Sequence, residues 1–127
     1  MKLIARCYFN SGQRNKLVNN RKIRLFSGEK VNFVCPSIDV AMNSVISRPD
    51  DRIVGVILTG MGKDGVQGLA YIKHLGGGIT LAQDEASSIV YGMPKAAFET
   101  GCVDFVLSSE EIRQKLINLV RKGLERD

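Results

Sequence analysis

The chain has 127 residues, enough for one domain with one core, and its 44% hydrophobic and 24% charged residues are ordinary for a globular protein. No apolar run approaches the roughly 20 residues that span a bilayer, and Lys2 and Arg6 interrupt any signal-peptide core, so a cytoplasmic protein without membrane insertion is expected. The net charge of +5 is uneven: residues 1–30 hold eight Lys/Arg against one acid, +7, and the remainder holds ten against twelve, −2.

Residues 1–30 therefore form a basic strand-and-turn segment distinct from the body, 31–127. Residues 3–9 and 22–26 are strand-like, and Ser11-Gly12 and Asn19-Asn20 are turn material. Ser37 is a good N-cap for a helix running to 48–51, with Asp39 in its first turn and Ile38, Met42 and Val45 on one face. Residues 52–59 are a β-branched apolar run, which suits a strand buried on both faces of a parallel sheet. A glycine-rich loop, 60–65, leads to a helix over 65–75 that Gly76 to Gly78 stop. A strand over 79–82, a loop over 84–90, a helix over 94–100 and a strand over 103–107 follow. The last helix, 108–126, is amphipathic, with Ser109 as its cap and Ile112, Leu116, Leu119 and Val120 as its buried stripe.

Strands alternating with helices predict an α/β fold, part of a doubly wound, mainly parallel sheet flanked by helices, with a β-rich basic segment in front. In such sheets sites form at the carboxyl ends of strands, which points at loops 59–65, 83–93 and 107–109. Cys7, Cys35 and Cys102 are odd in number and far apart, so they predict reduced thiols and no metal site. Aromatic residues are 6% with no tryptophan, so no nucleic-acid stacking platform is expected.

Gly60-Met61-Gly62-Lys63-Asp64-Gly65 fits G-x-G-x-x-G, and Asp84 lies 19 residues beyond it. That is a dinucleotide fingerprint on paper, with pyrophosphate at a helix amino terminus. Against it, Asp64 would stand beside the phosphates, and about three strands are too few for a full dinucleotide fold.

The longer strings VGVILTGMGKDGVQGL (54–69) and AQDEASSIVYGMP (82–94), preceded by PSIDVAMNSV (36–45), resemble the catalytic domain of CheB-type protein-glutamate methylesterases, over about 31–106. The resemblance implies a Ser–His–Asp hydrolase of glutamate methyl esters on the cytoplasmic helices of chemoreceptors in bacterial chemotaxis. It also implies that glutamine deamidation can accompany this, and that no cofactor is used. By resemblance Asp64 is the triad acid, and Thr59, Gly60, Met61, Gly62 and Gly65 form the active-site loop, with Met61 lining the cleft. The family's Gly-x-Ser-Thr-Gly-Gly and His-Met-Pro stretches have no counterpart here. Its arginine before Pro36-Ser37 is replaced by Cys35, and no match is legible over 1–30. His74, before the glycine stop, reads as a helix-end cation, and Ser87 and Ser88 as loop hydrogen-bonders.

The expectation is a carboxy-terminal half-domain, incomplete as a catalyst by itself. Cutting a parallel sheet exposes a strand edge, so Val54, Val56 and Ile57 call for cover from a missing amino-terminal half or a second copy. A non-catalytic scaffold whose basic arm meets acidic receptor helices is the alternative from outside the enzymes.

Overall fold

The computed structural model describes residues 15–19, 22–26, 29–30, 37–45, 52–75 and 78–125. The strand expected over 3–9, the turn at Ser11-Gly12 and the helix end at 48–51 lie outside them.

A hairpin comes first. β1 (Asn15–Asn19) pairs antiparallel with β2 (Lys22–Phe26), with Asn19 opposite Lys22. β2 is the strand read over 22–26, whereas β1, bounded by asparagines, has no signal of its own. α1 (Ile38–Asn43) follows and lies against both β1 and the next helix. Ser37 caps it as expected, its hydroxyl accepting from the Val40 amide. The helix is shorter than expected because Ser44 ends it, bonding its own amide and hydroxyl to the Ala41 carbonyl.

The body is β3 (Val54–Ile57), α2 (Val66–His74), β4 (Ile79–Gln83), α3 (Gly92–Glu99), β5 (Phe105–Leu107) and α4 (Ser109–Glu125). The three strands form one parallel sheet in the order β3-β4-β5. Side chains alternate along a strand, so the register sorts the sheet into two faces. Gly55, Ile57, Thr80, Ala82 and Val106 share one face. There Ile57, Leu69 of α2 and Ala97 of α3 make the core cluster, all 1% exposed or less. Gly55 lets α2 come close: a methyl group there would lie 2.7 Å from Leu69 Cδ1. Phe105 belongs to the other face, and Lys115 of α4 stands 4.2 Å from its ring centroid. Helices thus cover both faces, as the doubly wound reading requires.

That cover is uneven. α4 lies against β4 and β5. On the same face Val54 and Val56 of β3 are half-buried, and Leu58 just beyond them is 49% exposed. Ile57 differs from the expectation that it needs further cover, since α2 and α3 already bury it.

The α4 cap is Ser108 rather than Ser109. The Ser108 hydroxyl accepts from the Glu111 amide at 3.1 Å, and the Glu111 carboxylate accepts from the Ser108 amide at 3.0 Å. This is the reciprocal capping box, which needs an acid three residues after the serine. No helix among the described residues is long and apolar enough to cross a membrane.

One carboxylate ties the far end of the body together. Asp104 accepts from the Thr80 amide at 2.9 Å and from the Lys73 ammonium of α2. Partial burial pushes its carboxyl up, but the bonds from Lys73 and Thr80 outweigh this and hold the pKa below the ordinary aspartate value. A depressed folded pKa means that the unfolded chain takes up the proton first, so the contribution is whole above the unfolded value and is lost as pH falls through the folded one. Urea unfolding of wild type and Asp104→Asn should therefore show a constant stability gap from pH 5 to 7 that closes below about pH 4. A gap that persists unchanged at pH 2 would contradict the assignment.

Candidate functional site

The carboxyl ends of β3, β4 and β5 carry the loops singled out from the sequence. A polar seam joins them. The Thr59 amide, past the last ladder residue of β3, donates to Gln83 Oε1 at 2.8 Å. Gln83 Nε2 donates to the Ser87 carbonyl at 2.8 Å, and the Ser87 hydroxyl accepts from the Ser109 amide at 3.1 Å. Gln83 is only 5% exposed. It organises the sheet end and closes β4, whereas the strand read over 79–82 stopped short of it and left it in the 83–93 loop. A glutamine directly after an apolar strand was the available signal, since a buried amide must find partners for both ends.

Loops 59–65 and 84–91 are then clasped to each other. The Thr59 hydroxyl accepts from the Val90 amide at 2.8 Å and donates to the Val90 carbonyl at 3.0 Å. The Gly60 amide donates to the same carbonyl, and the Gly60 carbonyl accepts from the Met93 amide, both at 2.9 Å. Gly92 packs against this clasp, where a methyl group would lie 3.2 Å from the Gly60 oxygen. Beside it the apolar side chains of Met61, 85% exposed, and Ile89, 92% exposed, stand out on the surface. Met61 was expected to line a cleft; among the described residues it projects into solvent.

Asp64 lies at the inner side of the loop, 9% exposed, just before α2. Its Oδ1 accepts from the Ser37 hydroxyl at 2.7 Å and from the Asp39 amide at 3.4 Å, and its Oδ2 accepts from the Ile38 amide at 2.6 Å. The amino terminus of α1 thus holds this carboxylate, and Ser37 bridges the Val40 amide and Asp64 through one hydroxyl. Gly62 and Gly65 take positive φ, 94° and 96°, which lets the chain turn from β3 into α2. Of the loop residues predicted from sequence, Thr59 and Gly60 meet the 84–91 loop, and Asp64 and Gly65 meet α1.

The remaining polar candidates are engaged elsewhere. Asp84 accepts from the Ser87 amide and hydroxyl, which hold its carboxyl below the usual range. It braces its own turn. The Ser88 hydroxyl donates to the Asp84 carbonyl. His74 is exposed and ends α2, whose start adjoins Asp64. Nine helical residues place the two about 13 Å apart along the axis. Among the described residues no cluster of His, Cys, Asp and Glu could hold a metal ion.

A family model described as CheB methylesterase matches residues 4–116, which includes most of the basic segment. The protein-glutamate methylesterase/protein-glutamine glutaminase of Haloarcula marismortui is 47% identical over 115 residues, 87% of this chain and 31% of its own length. That of Sulfurimonas denitrificans is 48% identical over 101 residues, 80% of this chain and 28% of its own. The chain thus spans no more than 31% of the length of these two curated relatives. The crystal structure of the Thermotoga maritima CheB methylesterase catalytic domain superposes with a TM-score of 0.73 at 36% identity, covering 84% of this chain and 57% of that one. Motif order, sheet topology and these matches agree: the chain belongs to the CheB methylesterase family.

Proposed function

We propose that this chain supplies the aspartate-bearing part of a protein-glutamate methylesterase site, with Asp64 as the triad acid. The substrate is a glutamate methyl ester on the cytoplasmic helices of a chemoreceptor, and a glutamine amide is the second substrate class. One observation carries the reading: Asp64 is a buried carboxylate at the carboxyl edge of a parallel sheet, fixed by the Ser37 hydroxyl and the Ile38 amide.

The chemistry asks for a serine to attack the ester carbonyl and for a histidine to take its proton and pass it to the departing methoxide, releasing methanol. Water then hydrolyses the acyl-serine to the free glutamate. The carboxylate's share is to hold the imidazole in one tautomer and to stabilise its cation. The sequence has no Gly-x-Ser-x-Gly turn, and its single histidine is at the wrong end of α2. We therefore place the serine and histidine outside these 127 residues. The partly open flank of β3, where Val54, Val56 and Leu58 keep accessible surface, is where the polypeptide bearing them docks. β1 of the basic segment lies against α1.

Reconstitution tests this. The chain is mixed with the part of the related catalytic domain that it does not match, and methanol release from methylated receptor is followed. Release by the mixture and none by either polypeptide alone is the expected result. Release by this chain alone would overturn the incompleteness, and no release from a mixture shown to associate would overturn the assignment.

A further inference from the structure

We infer that Asp39 is a positioning residue for Asp64, acting through the locking of α1 onto α2; its functional consequence rests on the reading of Asp64 as the triad acid.

The first amides of a helix lack partners inside it. α2 cannot cap its own start, because its N-cap is Gly65, which has no side chain to accept a bond. The Gly68 amide, third in the helix, donates instead to Asp39 Oδ1 at 2.7 Å. The opening amides of α1 meet the converse arrangement, since Ile38 and Asp39 donate to Asp64 in the approach to α2. Each helix thus supplies the carboxylate that caps the other. Asp39 is 3% exposed and Asp64 is 9% exposed, so both bonds run out of water, where a lost partner is expensive.

The two helices also approach closely. A methyl group on Gly68 would lie 2.5 Å from Met42 Cβ and 3.2 Å from Asp39 Oδ1. A methyl group on Gly65 would lie 3.0 Å from Ile38 Cγ2. The carboxylate of Asp64 therefore sits where α1 puts it, and α1 sits where Asp39 fastens it. Asp39 touches no reacting atom. Its part is to keep the Ile38 amide and Ser37 hydroxyl aimed at Asp64, so that the acid does not have to reorganise when an imidazolium forms beside it.

Amide hydrogen exchange by NMR on the whole chain reads this directly, with Ile38 reporting on Asp64, Gly68 on Asp39, and Leu81 in the central strand on global stability. In Asp39→Ala, exchange at Gly68 and at Ile38 is expected to rise about 10-fold or more beyond the rise at Leu81, which reads the loss of global stability. Asp39→Asn keeps an acceptor oxygen and should limit the rise to about 3-fold at both; it carries the test if the alanine variant does not fold. A rise confined to Gly68 would make Asp39 a local cap and overturn the inference, as would an equal rise at all three amides. In the reconstituted domain Asp39→Ala should lower kcat and leave KM unchanged. A wild-type mixture without hydrolysis would count against Asp64 as a triad acid and leave the exchange result standing.

Discussion

Asp64→Asn is expected to lower methyl-ester hydrolysis by the reconstituted domain about 10⁴-fold, the loss seen when a triad aspartate is made neutral and the histidine settles in the wrong tautomer. The same substitution is expected to lower stability by about 1–3 kcal/mol, because a buried donor is left facing a donor. Oδ2 accepts from the Ile38 amide, and Oδ1 accepts from the Ser37 hydroxyl and the Asp39 amide. An asparagine must turn its NH₂ towards one side or the other. The serine hydroxyl can rotate to accept, so the NH₂ should settle there and the Asp39 amide should lose its bond. Methanol release against enzyme concentration checks the first effect, and urea unfolding of the isolated chain checks the second. A variant that keeps more than a hundredth of wild-type activity would remove Asp64 from the triad.

Gly65→Ala should be the most damaging of the small changes in the loop. Its φ of 96° costs a side-chain-bearing residue about 1–2 kcal/mol. The added methyl group would also lie 2.8 Å from Ile57 Cδ1 and 3.0 Å from Ile38 Cγ2, and overpacking of this kind costs about 1–3 kcal/mol more. Against a total stability of about 5–15 kcal/mol the combined loss is large. Gly62→Ala is the control, with a φ of 94° and nothing within 4 Å of the added atom. The urea midpoint should fall much further for Gly65→Ala than for Gly62→Ala. Equal falls would mean that Ile57 and Ile38 give way and that the strain is in the backbone alone.

The two glycines show where sequence reading stops. Their spacing made the turn from strand to helix legible, yet nothing local distinguishes the crowded one from the open one. Ser37 was legible as a cap because a cap acts on its own helix, and its bond to Asp64 was not, because that partner is 27 residues away. Asp39 looked like an acid that complements its own helix, whereas it serves Gly68 of another. The strand read over 52–59 pairs only over Val54–Ile57, since beyond Ile57 the Thr59 amide turns to a side chain of β4. Apolar periodicity marks what is buried; it does not say which backbone amides find a ladder partner. The proposed acid, Asp64, could be named from the family's motif, and its support, which depends on α1 meeting α2, could not.

The clasp between Thr59, Gly60, Val90 and Met93 also governs how these loops can change in length. Its bonds pair two neighbouring residues on one loop with two residues three apart on the other. An insertion between 90 and 93 would slip that pairing and carry Gly92 off the Gly60 carbonyl. Glu85 and Ala86, both exposed, have no part in the clasp, but the bonds from Ser87 to Asp84 and from Gln83 to Ser87 span them and fix their number as well. The segment is therefore fixed in length at its turn and at its clasp. Ile89, 92% exposed, stands between the two, so added length there would leave the loop that carries Asp64 in place.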